Sequence, residues 1–209
     1  MARPKGDAAA TAARREAILD AALQVFAVAG FNGSSLKQVA EIVGITEAGI
    51  LHHFKNKGTL LLEVLKRREE LNRHGSGLAN TDGIVQVAEW IAVQKENSTL
   101  PGIIELFTIL SAEATAANHP AHEYFQQRYS KVTTNLTGMF QHLKDSNFLA
   151  TDESPEDLGA SLVALSDGLQ LQWLLNPAVD MPKLHIQFFR TVLTEAGWNA
   201  LQARLDQTK

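Results

Sequence analysis

Residues of the types that do chemistry gather in two places. His119 and His122 stand three apart in His119-Pro-Ala-His122-Glu123 and could approach one metal ion, but they sit at a helix start and no third ligand follows at a fixed spacing. No metal site is therefore expected. The chain has no cysteine, which removes disulfides, thiolate metal sites and cysteine nucleophiles. It also lacks a Gly-x-Ser-x-Gly elbow, a His-Glu-x-x-His pair, a P-loop and a Rossmann glycine pattern. Neither an enzymatic activity nor a cofactor is expected. What remains is Ser35-Leu-Lys-Gln-Val-Ala-Glu-Ile-Val-Gly-Ile-Thr-Glu-Ala-Gly-Ile-Leu-His-His-Phe54, whose chemistry is that of a contact surface.

This segment reads as two short helices separated by Gly44-Ile45-Thr46. Ser35 can cap the first, which buries Leu36, Val39, Ala40 and Val43. Ala40 suits the point where the helix axes come closest. Gly44 can take the left-handed conformation of a sharp turn without a Cβ clash. Ile45 and Ile50 are apolar pegs that lock the second helix on the first, leaving small and polar residues on its outer side. The pattern is that of a helix-turn-helix. Each helix is too short to stand alone, so a third must cover them. Ile18, Ala21, Ala22, Val25, Phe26 and Ala29 form the stripe for that task, with Gly30 as its stop.

The rest of the chain keeps the helical period. A helix is expected from Lys57 to at least Arg73, then one from Asp82 to near Asn97, one from Pro101 to about Ala117 and a long one from Pro120 to near Ser146. Ser154-Pro155-Glu156-Asp157 is a strong helix start, with Pro177 stopping that helix after Asn176. The last clear helix is expected from about Pro182 to Ala196, closed by Gly197. No segment alternates with the strand period. The expected fold is all-α: an N-terminal three-helix head and a helical body, about nine helices in total. The expected domains are a flexible arm (1–13), the helix-turn-helix domain (14–60) and the body (61–209).

The net charge of −4 is unevenly spread. Residues 1–60 carry seven Lys/Arg against five Asp/Glu, whereas residues 61–209 carry twelve against eighteen. The acidity lies in the body, and a mildly basic head permits phosphate contact. No apolar run approaches the roughly 20 residues of a membrane span, and Met1–Ala13 has Arg3 and Lys5 but no apolar signal-peptide core. No membrane partner is expected, and a cytoplasmic address follows by elimination.

Residues 14–62 resemble the DNA-binding region of the tetracycline-repressor (TetR) family. The landmarks are Ala29-Gly30-Phe31, Ser35, Val39-Ala40, Gly44-Ile45-Thr46, His52, Phe54-Lys55-Asn56-Lys57, Leu60 and Leu61. The resemblance implies that the helix Glu47–Phe54 enters the major groove of double-stranded operator DNA. It implies that Ser35, Thr46 and Lys57 touch phosphates while Ala48, Gly49 and His52 face bases. Members usually carry Lys, Gly and Thr where this chain has Glu47, Ala48 and Gly49, and tyrosines where it has Leu51 and His53. Glu47 would repel phosphate but can accept from a cytosine amine, and His53 can replace a tyrosine's phosphate contact, more effectively when protonated. Arg3 and Lys5 could trail into a neighbouring minor groove.

One small head makes too little contact for tight specific binding, so a homodimer is expected. The candidate interface is Leu158, Leu162, Leu165 and Leu169 on one late helix and Leu184, Phe188 and Val192 on the next, the latter also carrying Ile186, Phe189 and Leu193 on a second face. The resemblance implies a bundle of four helices from two chains and a pseudo-palindromic operator. It also implies a pocket for an unidentified small-molecule effector, with Trp90, Phe107, Leu110, Ser111, Phe125, Tyr129 and Trp173 as candidate lining, Met139 and Phe140 beside them, and Thr108 and Glu113 among its polar groups. The expected function is a transcriptional repressor released by its ligand; the alternative is a helical ligand-binding or scaffolding module that does not bind DNA.

Overall fold

The computed structural model describes residues 5–72 and 82–207, and all described regular structure is helical apart from one isolated antiparallel bridge between Leu149 and Leu193. Among the described residues ten helices run in the order α1 Lys5–Ala29, α2 Leu36–Val43, α3 Glu47–His53, α4 Lys57–Asn72, α5 Gly83–Asn97, α6 Pro101–Glu113, α7 His122–Asp145, α8 Pro155–Leu175, α9 Met181–Val192 and α10 Glu195–Asp206. They form two compact units. The first is Met1–Leu71 with Glu105–Phe125, and the second is Asn72–Ile104 with Gln126–Lys209, so the boundaries fall at the end of α4 and inside α6 and α7.

In the first unit α1 packs on α2 and α2 on α3. The expected stripe of α1 is buried at Ile18, Ala21, Ala22, Val25 and Phe26, and Val39 and Ala40 of α2, Ile50 of α3, and Leu60, Leu61, Val64 and Leu65 of α4 are buried in the same unit. Charged pairs tie α1 to α4: Arg15 bonds Glu63, and Arg67 reaches both Glu16 at 3.1 Å and Asp20 at 2.7 Å. The Arg15 guanidinium also lies 4.9 Å from the Phe54 ring.

Two boundaries differ from expectation. The proposed flexible arm is helical from Lys5 onward, because the alanines of Ala8–Ala13 are strong helix formers and extend α1 backwards. Residues 1–4, including Arg3, lie outside the described residues, as do Arg73 and residues 74–81. The last expected helix is in fact two. Thr194 caps α10 through its side chain, which accepts from Gly197 N, so Gly197 sits in the first turn of a new helix and does not close the old one. A Cβ at Gly197 would lie 2.9 Å from Phe148 Cβ and 3.0 Å from Phe148 O, which explains the small residue by close packing.

In the second unit α5 packs on α9 and α10, and α8 on α9. The core joins Ile84, Val87 and Ile91 of α5, Leu136, Met139, Phe140 and Leu143 of α7, Leu158 and Leu162 of α8, Phe189 and Val192 of α9, and Leu201 of α10. A smaller cluster holds Ile104, Leu169, Trp173 and Met181. Ser154 caps α8 with Pro155 at its first position, as its sequence requires.

Candidate nucleic-acid interface

The hairpin of α2 and α3 is built by its caps. Ser35 Oγ accepts from Gln38 N at 3.3 Å while Gln38 Oε1 accepts from Ser35 N at 2.8 Å, a reciprocal capping box. Gly44 ends α2 at φ 73°, ψ 38°, and its N–H donates to Ala40 O. A Cβ there would meet no atom within 4 Å, so it is the left-handed backbone, not space, that calls for glycine. Thr46 Oγ1 accepts from Gly49 N at 3.1 Å and starts α3. Ile50 is fully buried and pins α3 to the unit. Glu47, Ala48, Leu51 and His52 are exposed and Gly49 is partly so. The fold therefore holds one short helix by a single inward peg and leaves its outer face bare.

The eight candidate contact residues do not share one environment. Ser35, Thr46, Glu47, Ala48, Gly49 and His52 lie on exposed or half-exposed backbone at the hairpin surface. His53 is half-buried with its ring 5.5 Å from that of His52. Its pKa is pushed down, first by burial and then by His52, Arg14 and Arg15, which works against the protonated form. Lys57 stands apart. Its Nζ donates to Phe31 O at 2.6 Å and Ser34 O at 2.8 Å and lies 4.2 Å from the centroid of the Phe31 ring. Burial lowers its pKa while Glu113 raises it. The expected phosphate ligand is engaged inside its own unit, where its ammonium group donates to two carbonyls of the turn before α2, one of which also accepts from Ser34 Oγ.

That assignment has a direct check. Lys57→Met is expected to cost the head roughly 1–2 kcal/mol, because two carbonyls lose a charged donor. The slope of DNA affinity against salt should not change, since no phosphate contact is lost. Unfolding curves and binding titrations over a range of salt read both; a shallower slope with unchanged stability would return Lys57 to the phosphate contacts.

Glu113, expected among the polar groups of a ligand pocket, belongs to the same turn. Its carboxylate accepts from Phe31 N at 2.6 Å and Asn32 N at 3.2 Å, and lies 3.6 Å from His119 Nε2. His119 sets its ring edge-on to Phe31 at 5.1 Å, and its Nδ1 accepts from Ala121 N at 3.2 Å. His122 Nδ1 pairs with Ala114 O at 2.7 Å. The two histidines thus organise the connection from α6 to α7.

The seven candidate pocket residues divide between the units. Phe107, Leu110, Ser111 and Phe125 belong to the first, with Phe107 and Phe125 in edge contact at 6.1 Å and Ser111 Oγ donating to Thr108 O. Trp90, Tyr129 and Trp173 belong to the second, where Tyr129 donates to Asp167 at 2.7 Å. Met139 and Phe140 are fully buried in the second core.

The candidate dimer residues pack largely within their own chain. Leu158, Leu162, Leu169 and Val192 are buried inside their own chain, and Leu165, Leu184 and Phe188 are half-buried against its cores. The free apolar stripe of α8 is the opposite one: Ala160, Ala164, Leu171 and Leu175 share its exposed face, with Leu171 50% and Leu175 80% exposed. Helical periodicity shows both stripes but cannot say which one a chain buries in itself.

A helix-turn-helix with an open second helix, followed in sequence by an all-helical second unit, defines the architecture of a helical DNA-binding regulator. Comparison with known proteins places it further. Residues 18–64 match the family described as bacterial regulatory proteins, tetR family, and residues 105–196 match the C-terminal region of BetI-type transcriptional repressors. The HTH-type transcriptional regulator RutR of Escherichia coli K12 is 40% identical over 58 residues, 28% of this chain and 27% of RutR. The match thus spans about a quarter of the length of that relative. The HTH-type transcriptional repressor BepR of Brucella suis is 27% identical over 187 residues, covering 83% of this chain and 85% of BepR. A TetR-family regulator of Agrobacterium tumefaciens has the same fold at a TM-score of 0.74 and 16% identity, over 87% of this chain and 98% of that one. A transcriptional regulator of Saccharomonospora viridis, solved in complex with choline, reaches a TM-score of 0.73 at 21% identity over the same shares. The chain belongs to the TetR family of DNA-binding transcriptional regulators. No helix among the described residues is long and apolar enough to cross a membrane.

Proposed function

We propose that the chain is a homodimeric repressor that sets α3 into the major groove of a pseudo-palindromic operator and leaves it when a small molecule occupies the second unit. The observation that carries this reading is the bare face of α3, where Glu47, Ala48, Gly49 and His52 are held outward by Ile50. On this reading Ser35 and Thr46 lie at phosphates, and Ala48, Gly49 and His52 at base edges. The resemblance to repressors along most of the chain supports the sign of regulation. A choline complex in a protein of the same fold supports a ligand-bearing body. We assign no enzymatic activity and no cofactor.

Two heads must be paired about one DNA turn apart, roughly 34–36 Å. The free stripe of α8, with Leu171 and Leu175, is the apolar face still able to meet a second chain. Leu171→Glu combined with Leu175→Glu should give a monomer in sedimentation analysis that still folds, because neither side chain is buried. It should also lose operator binding by about 100-fold or more, since two half-sites are no longer read together. The wild-type chain should shift DNA fragments from beside its own coding region at lower concentrations than unrelated fragments. Equal binding to both would remove the specific operator from this reading, and no binding to either would leave the module without DNA binding as the better one.

A further inference from the structure

A head that sits on DNA must meet phosphates with cations, and the ammonium of Lys57 is already committed to carbonyls of its own unit. The other cations of residues 14–66 fall into two groups. Arg15 bonds Glu63 and lies over the Phe54 ring, and Lys37 pairs with Glu41 one turn along α2 at 3.9 Å. Arg14, Lys55 and Lys66 are exposed, and none of the three is in an ion pair among the described residues.

Two of these three belong to one end of α3. Phe54 is the C-cap of α3, and Lys55 follows it directly. The Arg15 guanidinium lies 4.9 Å from the centroid of the Phe54 ring, which brings this part of α1 against the same end. Arg14 precedes it on α1 and is exposed where Arg15 is half-buried. Its charge is felt at His53, whose pKa is lowered first by burial, then by His52 and then by Arg14. Lys66 stands elsewhere, nine residues along α4 from Lys57, or about 13 Å of helix.

That end of α3 needs cations if DNA is to approach it. The last carbonyls of a helix carry negative partial charge, so a phosphate is repelled there unless positive side chains intervene. His53 is half-buried and held toward its neutral form, so it supplies little charge. Helix α3 has seven residues and is about 10 Å long, close to the roughly 12 Å width of the major groove. With its outer face on base edges, its C-terminal end comes within a side chain's reach of a phosphate row. Arg14 and Lys55 are long, exposed and uncommitted, and they flank that end.

We propose that Arg14 and Lys55 clamp backbone phosphates beside the C-terminal end of α3, in the role that sequence reasoning gave to Lys57. The clamp rests on the reading of α3 as the groove helix. It recognises the charge of the backbone and carries no sequence information.

The test uses the full chain with two labelled duplexes of equal length, one from beside its own coding region and one of unrelated sequence, in anisotropy titrations over a range of KCl concentrations. Arg14→Gln and Lys55→Gln should each flatten the dependence of log affinity on log salt by about 0.9 per head, hence about 1.8 for a dimer. Each should weaken both duplexes by the same factor, about fivefold or more at low salt, because the lost contact is blind to sequence. Arg14→Lys and Lys55→Arg should keep the parental slope. Both glutamine variants should keep the Tm within about a degree, since the side chains are exposed. Lys66→Gln removes the same charge farther along α4 and should leave the slope unchanged. The proposal is overturned if the glutamine variants keep the parental slope, if Lys66→Gln flattens it as much, or if the loss falls on one duplex alone. Preferred binding to the first duplex with unchanged slopes sinks the clamp and spares the repressor. Equal binding to both duplexes with flattened slopes keeps the clamp and sinks the specific operator, and no binding to either sinks both.

Discussion

Gly30→Ala is expected to cost the first unit roughly 2–4 kcal/mol, a large share of the stability of a domain this size. Gly30 ends α1 at φ 64°, where an L side chain is strained. A Cβ there would also lie 2.5 Å from Glu113 Oε1 and 2.9 Å from Glu113 Cδ. The alanine must displace the carboxylate, and with it the bonds from Phe31 N and Asn32 N. Glu113→Ala alone removes the same two bonds without backbone strain and should cost less, roughly 1–2 kcal/mol, because Asn32 N can turn to water. The double variant removes the clash as well. Its cost should therefore fall short of the sum of the single costs by about 1 kcal/mol, a coupling that urea unfolding of the four proteins reads directly. Additive costs would mean that Gly30 and Glu113 do not share a site.

The same turn shows where sequence reasoning stops. Gly30, Gly44, Ser35 and Thr46 act through partners a few residues away, so their roles as stop and caps were legible. Glu113 acts on Phe31 across 82 residues of chain, and nothing in a local pattern points from one to the other. Lys57 had the charge of a phosphate ligand, but its charge is engaged by carbonyls 26 and 23 residues earlier. Thr194-Glu195 was a readable helix start that the glycine after it obscured, because glycine serves close packing as well as termination. Helix α8 poses the converse problem. Its buried leucines have the helical spacing expected of a stripe that meets a partner chain, while the exposed Leu171 and Leu175 lie on the other side. Periodicity measures how many apolar faces a helix has, and only the packed chain says which is left over.

Gly49→Ala should move stability and DNA affinity in opposite directions. A Cβ on Gly49 would meet Ile45 and Thr46 no closer than 3.6 Å, which is ordinary contact, so the unit accepts it without rearrangement. Alanine in place of glycine within α3 should add about 0.5–1 kcal/mol of stability. If this face lies against base edges, the added methyl occupies space the DNA needs. The operator affinity should then fall by roughly 10–100-fold, in the range of a lost base contact, and twice over in a dimer. The salt slope should stay the same, since no phosphate contact is removed. His52→Ala provides the complementary loss: an exposed side chain whose removal should leave the Tm within about a degree yet weaken the operator complex by a similar factor. Thermal unfolding and gel-shift titrations on the two variants separate a helix that reads DNA from one that merely packs. A Gly49→Ala protein that is more stable and binds its operator as tightly as the parent would take this face of α3 off the groove, and with it the recognition geometry proposed for the whole chain.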